Sequence, residues 1–274
     1  MLNSLVRKGG ILMFTQSDYD KLQQIMAESP EKKELLTRLL NSQQMTISSL
    51  SHEIRNPLTL IYSELQLVAA SHPELNSSKH LNQLVQDVEY MNLLLNELSS
   101  YNNSNKLNLS IINTASFFKA AALSFAASIV DTDIEFVSKI PSDLPDISGD
   151  KVKLRQIILN LLANAKDAVL SGKATNPQIF LAVTLTDKSS EKSYLSDEKH
   201  PTDDKQLLIK ISDNGCGITP KQLETIFEPF VTYKKNGTGL GLSIAHRIAT
   251  AHGGSLTASS VPGNRTEFVL SLPI

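Results

Sequence analysis

A histidine at position 52 is followed at once by a carboxylate, Glu53, then by Arg55, by an amide at Asn56 and by Pro57. Neutral imidazole is a competent nucleophile near pH 7. A neighbouring carboxylate can hold its tautomer and take the proton as the other ring nitrogen attacks. Pro57 lacks a backbone N–H and its ring crowds the carbonyl of Glu53, so a bend is expected beside the histidine. Ile47, Leu50, Ile54, Ile61, Leu65 and Val68 recur at the spacing of one helix face. At about 100° per residue His52 lies off that seam and faces solvent or a visiting domain. A lone histidine in such a place is more often an ordinary surface residue, so its assignment rests on the remainder of the chain.

Three further clusters could serve one ligand. Asn160 and Asn164 stand four apart on a predicted helix and project from the same side. Their amide oxygens suit a hard Mg²⁺ ion that keeps several waters and bridges substrate phosphates, although paired asparagines on a buried face can also be structural. Asp213-Asn214-Gly215-Cys216-Gly217-Ile218 ends a predicted strand, and its glycines let the backbone approach a ligand closely. The carboxylate there can accept the amino hydrogens of adenine, while Asp-Asn-Gly is also an ordinary turn sequence. Asn236-Gly237-Thr238-Gly239-Leu240-Gly241-Leu242 precedes the last predicted helix, whose first amides would meet phosphate oxygens. It is neither a Walker loop nor a Rossmann turn.

The elements that must position these groups fall into two regions. Lys-, Glu-, Gln- and Leu-rich sequence from Asp18 to about Met45 favours helix, with a break at Ser29-Pro30. It leads into the His52 helix, which Ser71 to Ser78 should end. A second helix is expected from about Lys79 to Ser99, with Leu81, Leu84, Val85, Val88, Met91, Leu95 and Leu98 as its stripe. Such a hairpin cannot bury both stripes alone, so two copies are expected to pair as a four-helix bundle, a homodimer. Polar Tyr101 to Asn105 reads as a hinge. Strands are then expected at 107–111, 134–137, 144–148, 178–186, 206–212, 255–260 and 267–272. Helices are expected from a Thr114 cap to about 129, from an Asp150 cap to Leu170 with Gly172 as the stop, at 220–226 and at 240–251. The charged stretch 187–205 reads as a mobile hairpin loop.

Composition narrows the classes. The 274 residues include 41% hydrophobic and 20% charged side chains, with a net charge of -2, which is room for two domains and no hint of nucleic-acid binding. The single cysteine, Cys216, excludes an internal disulfide framework and a multi-cysteine zinc site, and fits a reducing compartment. No apolar run approaches the roughly 18 to 20 residues of a membrane helix, nor the core of a signal peptide. The expected location is cytoplasmic.

His52-Glu53-Ile54-Arg55-Asn56-Pro57-Leu58-Thr59 resembles the phospho-acceptor box of two-component sensor histidine kinases, and the three clusters in this order resemble the N box and the two glycine boxes of the GHKL ATP-binding fold. Phe227 to Thr232 resembles that family's F box. The resemblance covers nearly everything from Gln43 onward. It implies a dimeric helical hairpin followed by an α/β sandwich of helices on one face of a mixed sheet. The expected division is a lead-in at 1–42, dimerisation and phosphotransfer at 43–101, and ATP binding at 106–274.

The resemblance further implies that His52 accepts the γ-phosphoryl group of ATP, that Glu53 is its acid/base partner and that Asn56 positions water for a reverse, phosphatase step. Asn164, supported by Asn160, would hold Mg²⁺, and Asp213 would read adenine. Gly215, Gly217 and Ile218 would shape that pocket, with Asp167, Phe230, Gly237, Thr238, Gly239, Leu240, Gly241 and Leu242 around the phosphates and lid. A receiver domain of a response regulator is the implied partner. Hydrolysing GHKL relatives carry a glutamate where this chain has Asn160, which points away from an ATPase and toward transfer to His52. A non-catalytic scaffold is the other alternative. Asp167 stands where many members carry lysine, so Lys166, Lys234 or Lys235 is expected to supply positive charge, and Tyr233 replaces a frequent threonine. His72, His80, His200, His246 and His252 have no ligand spacing and are expected at the surface.

Overall fold

The structure, a computed structural model, describes residues 7, 8, 11, 12, 21, 24, 25, 29–172, 176–187, 205–234 and 237–274. The expected loop 187–205 and residues 235 and 236 fall largely or wholly outside the described residues. The chain divides into two compact units, 1–102 and 103–274. Among the described residues no helix is long and apolar enough to cross a membrane.

In the first unit, β1 (Arg7–Lys8) and β2 (Ile11–Leu12) make a short antiparallel pair. Helix α1 (Pro30–Ser71) begins where the sequence placed a break, because proline at a first helical position lacks only an N–H that would have no partner anyway. It continues through Pro57 as one helix. A 3₁₀ turn at Pro73–Ser77 reverses the chain into α2 (Lys79–Asn103). The non-helical link expected over Tyr101 to Asn105 is narrower than expected, a turn at Ser104 and Asn105. Nothing in Tyr101-Asn102-Asn103 breaks a helix, and α2 runs on to Asn103.

The hairpin packs Leu58 and Val88 inward, yet Leu50, Ile54, Ile61, Val68, Leu84 and Met91 stay 38% to 53% exposed. Two helices have too little mutual surface to cover both stripes.

The second unit is an α/β sandwich. Strands β4 (Glu135–Lys139), β6 (Gln178–Asp187), β7 (Lys205–Asp213), β8 (Ser255–Val261) and β9 (Arg265–Pro273) form one sheet in the order β4-β6-β7-β9-β8. The β4–β6 pair is parallel and the others antiparallel. Strands β3 (Ser110–Ile112) and β5 (Ile147–Gly149) pair separately. Alternation sends Ile179, Leu181, Val183, Leu207, Ile209, Ile211, Phe268, Leu270 and Leu272 inward, all essentially buried.

Over that face lie α3 (Thr114–Ala127), α4 (Lys151–Ser171) and α6 (Gly241–Ala251), with the short α5 (Pro220–Leu223) at one side. Leu154, Ile157, Ile158, Leu161, Leu162, Ala165 and Val169 of α4 form the buried stripe, packed on β6, β7 and α6. A cavity of about 490 Å³ opens on the other face, with Phe180, Ala182, Lys210 and Ser212 in its lining.

Capping differs from expectation at one helix. Asn113, not Thr114, caps α3: its side chain accepts from the Ser116 N–H at 3.1 Å. Thr114 instead donates its hydroxyl to the Pro145 carbonyl at 2.6 Å.

Asp150 caps α4 as expected, accepting from the N–H groups of Val152 at 3.0 Å and Lys153 at 3.1 Å, and also from that of Asn108 at 2.9 Å. Burial works to raise its carboxyl pKa, and these hydrogen bonds with the Lys153 ammonium outweigh that, leaving it below the ordinary value. Lys153 in turn donates to the carbonyls of Asn103, Ser104 and Lys106. Asp150→Ala should therefore destabilise the 103–274 unit by about 1 to 2 kcal/mol, the range for a lost helix N-cap, read as a lower urea midpoint.

Candidate functional site

The amphipathic pattern of α4 decides where its asparagines go. With one stripe committed to the core, Asn160, Asn164 and Asp167 share a partly exposed side. Asn160 donates its amide N–H to the Gly241 carbonyl at 3.2 Å, which ties α4 to the start of α6. The Asn164 Oδ1 accepts from the Lys234 ammonium at 2.7 Å, and the same ammonium meets the Asp167 carboxylate at 2.6 Å. These two oxygens thus already accommodate a positive charge. This donor set fits a hard cation, and no group of three or more His, Cys, Asp or Glu among the described residues offers a competing metal site.

Of the two expected lysines among the described residues, Lys234 is the one that meets Asn164 and Asp167. Lys166 points elsewhere, donating to the Ser128 carbonyl at 2.8 Å just past the end of α3. Lys235 lies outside the described residues.

At the end of β7, Asp213 is 4% exposed and its carboxylate accepts the Gly215 N–H at 2.9 Å. Burial pushes its pKa up to about 6, against the lowering effect of that N–H. Asn214, beside it, is structural: its oxygen accepts from the Gln178 N–H at 2.7 Å and its amide donates to the Asn176 carbonyl at 2.7 Å. The loop that follows is pinned on both sides. Cys216 donates its backbone N–H to Ala168, and its carbonyl accepts from the Gly263 N–H at 2.8 Å. Ile218 donates its N–H to the Ser260 hydroxyl at 2.8 Å. Gly215 is required by this closeness, since a β-carbon there would stand 2.4 Å from the Ala168 carbonyl carbon.

The other glycine cluster begins α6. Leu240 is fully buried, and its side chain makes no cap hydrogen bond to the first amides of the helix. The Thr238 hydroxyl accepts the Leu240 N–H at 3.3 Å. Gly239, at φ 74°, lies so close to Phe230 that a β-carbon would stand 2.5 Å from its carbonyl carbon. Phe230 itself takes φ 61°, the one non-glycine among the described residues in the left-handed region, and its ring is exposed. Tyr233 hydrogen-bonds Thr225 at 2.9 Å, which gives the unusual residue a role at the base of this segment.

Two histidines expected at the surface are built into this unit. His252 accepts the Asp150 N–H at 2.9 Å through Nε2 and faces the Ile248 carbonyl at 2.8 Å through Nδ1, joining the end of α6 to the start of α4. His246 is half-buried with its ring 5.1 Å from that of Phe227, and burial lowers its pKa. Neither has spacing that announces it, because the partners are about a hundred residues away or across the fold.

In the helical unit His52 is exposed, as its place off the seam required. Its neighbour Glu53 accepts from the Ser49 hydroxyl at 3.3 Å. The group against the imidazole is Arg55, whose guanidinium lies 3.1 Å from Nδ1 and donates also to the Asn96 oxygen of α2 at 3.1 Å. Asn56 is exposed one residue further on. The sequence reading gave Arg55 no part, although its spacing of three from His52 is the helical signal for such a contact.

Comparison with known proteins bears on both units. Residues 42–105 match the family model "His Kinase A (phospho-acceptor) domain", and residues 149–274 match "Histidine kinase-, DNA gyrase B-, and HSP90-like ATPase". A phospho-acceptor hairpin followed by an ATPase-type sandwich defines the class. The chain belongs to the sensor histidine kinases of two-component systems.

It is similar to the signal transduction histidine-protein kinase AtoS of Escherichia coli K12, 26% identical over 91% of this chain and 39% of the relative. The sensor protein TorS of the same strain is 30% identical over 93% of this chain and 26% of its own length. The sensor histidine kinase ZraS of Escherichia coli O157:H7 is 28% identical over 93% and 51%. The chain thus spans about a quarter to a half of these curated relatives. Full-length ShkA in complex with AMPPNP shares the fold with a TM-score of 0.64 at 23% identity, covering 84% of this chain and 45% of that one.

The Asp213 carboxyl gives a pH test that needs no ligand. Its folded pKa of about 6 lies above the unfolded value of 3.8. The folded unit therefore keeps the proton that the unfolded chain releases, and stability is lost as pH rises through that window. Wild type should lose stability relative to Asp213→Asn between about pH 4 and pH 6, measured by denaturant titration at each pH.

Proposed function

We propose that this chain is an ATP-dependent protein-histidine kinase that autophosphorylates on His52 and passes the phosphoryl group to an aspartate of a response-regulator receiver domain, with a reverse phosphatase step as well. What carries this reading is the pairing, in one chain, of an exposed imidazole on a phospho-acceptor hairpin with a second unit whose α4 oxygens accommodate a cation.

The division of labour follows the two units. Residues 43–101 serve as dimerisation and phosphotransfer domain, and the exposed seam of the hairpin supports a homodimeric four-helix bundle. Residues 106–274 bind ATP. Asp213 accepts the adenine amino group inside the pocket shaped by Gly215, Gly217 and Ile218. The first amides of α6, with Gly237, Thr238, Gly239, Leu240, Gly241 and Leu242, receive the phosphates, beside Asp167 and Phe230. Asn164, with Asn160 in support, would hold Mg²⁺, which when bound neutralises phosphate charge during transfer. Glu53 takes the imidazole proton, and Asn56 orients water for the reverse step. With Asn160 at its position, the N-box helix lacks the glutamate that hydrolysing relatives carry, which favours transfer to His52 over hydrolysis. The lone cysteine suits a cytoplasmic setting.

Two experiments test this. With γ-labelled ATP and Mg²⁺, wild type should acquire an acid-labile, alkali-stable label. His52→Gln should acquire none and still bind ATP, because the acceptor is removed and the pocket is not. ATP binding without label would favour a scaffold, and sustained phosphate release without phosphorylated protein would favour a GHKL-type ATPase. Asp213→Ala should weaken ATP binding by about 1.5 to 3 kcal/mol, roughly 10- to 150-fold by calorimetry. Wild-type affinity should itself fall as pH drops through about 6, where the carboxylate takes up a proton and becomes a weaker acceptor.

A further inference from the structure

The helices cover one face of the sheet, and the cavity of about 490 Å³ lies on the other. Its floor follows from the strand register. Val137, Phe180, Ser212 and Glu267 stand side by side across β4, β6, β7 and β9, and a neighbouring row holds Lys139, Ala182, Lys210 and Val269. Residues directly opposite one another project from the same face. The small side chains of Ala182 and Ser212 therefore sit among larger ones and leave a depression. Its volume falls within the range of about 300 to 1,000 Å³ usual for small-molecule sites.

Lys139 and Lys210 flank the Ala182 methyl, one strand away on each side. With neighbouring strands about 4.8 Å apart, their backbones are separated by about 10 Å, a gap across which two flexible stems can bring both ammonium groups onto one anion. Both lysines are exposed, and among the described residues neither meets a carboxylate or a hydrogen-bond acceptor. The acids on this face are already engaged. Glu267 accepts from the Arg265 guanidinium at 2.5 Å, and Glu135 accepts from the Gln178 amide at 2.7 Å. Phe180 is 39% exposed and has no aromatic partner among the described residues. Two uncompensated cations beside an open ring, in a chain of net charge -2, select an anion with a flat apolar body.

We propose that the open face of the sheet is a binding site for a small ionised aromatic carboxylic acid, its ring on Phe180 above Ala182 and Ser212 and its carboxylate shared by Lys139 and Lys210. The site is distinct from the proposed nucleotide pocket. The two meet only at the end of β7, where Asp213 reaches the rim of the cavity while its carboxylate is turned to the Gly215 N–H. Both ligands can therefore be held at once, and the site stands whether or not the chain is a kinase.

The probe is 2-naphthoate, with 2-naphthalenemethanol as its uncharged counterpart. The full chain is labelled with 4-fluorophenylalanine, and the Phe180 fluorine signal is assigned by its loss in Phe180→Leu. Titration with 2-naphthoate should move that signal saturably. The alcohol should bind about four- to twenty-five-fold more weakly, the product of two exposed ion pairs at about two- to five-fold each. Added salt should narrow that gap. Lys139→Gln and Lys210→Gln should each weaken the acid by about two- to five-fold and leave the alcohol unchanged. A Phe180 signal that does not move, or equal affinity for acid and alcohol, overturns the proposal.

Ala182→Leu fills the depression between the two lysines without altering the buried face of β6. It should abolish the shift while the thermal midpoint stays close to that of wild type, and saturable binding that persists in this variant overturns the placement. Saturating ATP with Mg²⁺ should leave the naphthoate titration unchanged. Displacement by ATP would put the probe in the nucleotide pocket and overturn the proposal, whereas a chain that binds naphthoate and no ATP would overturn only the kinase reading. Should a variant fail to fold, the comparison of acid with alcohol on wild type still decides.

Discussion

The second unit depends on helix α4 serving two faces at once. Its buried stripe from Leu154 to Val169 anchors the sheet and α6, and this leaves Asn160, Asn164 and Asp167 no choice but the other side. The start of the helix is fixed by Asp150, which gathers the N–H groups of Val152, Lys153 and Asn108 while its own N–H is taken by His252. Core packing and capping therefore set the height and rotation of the asparagine side chains. A one-residue slip of α4 would turn them by about 100° and separate them from the α6 terminus.

Around that helix the loops are shaped by closeness more than by flexibility. Gly215 lets the chain after β7 lie against the end of α4, and Gly239 lets the segment before α6 lie against the backbone of Phe230. Lys234 links the same segment to α4 through Asn164 and Asp167. An ammonium shared between an amide oxygen and a carboxylate is a modest, exposed interaction, and an arriving divalent ion with phosphates could replace it at little cost.

The helical unit obeys a different constraint. Its apolar residues outnumber the places a two-helix hairpin can bury, which leaves a stripe that calls for another helical surface. His52 is kept off that stripe and is governed by polar neighbours instead. Proximity in sequence does not decide which of them matters: Glu53 is adjacent and turned to Ser49, whereas Arg55, a turn away, meets the ring.

What the sequence determined by itself was everything carried by local pattern. Helical periodicity marked α1, α2 and α4, strand alternation marked the sheet, and Asp150, Pro30 and Gly172 marked helix ends through backbone chemistry that acts within a few residues. The phospho-acceptor box and the asparagine and glycine clusters were legible for the same reason, being contiguous stretches. What only the tertiary structure decided was pairing across distance. Lys234 rather than Lys166 meets Asn164, Asn214 clamps the start of β6, His252 closes onto Asp150, and α2 extends into the expected hinge as far as Asn103. Each of these depends on which side chains the packed core brings within about 3 Å of one another, and no spacing along the chain encodes that distance.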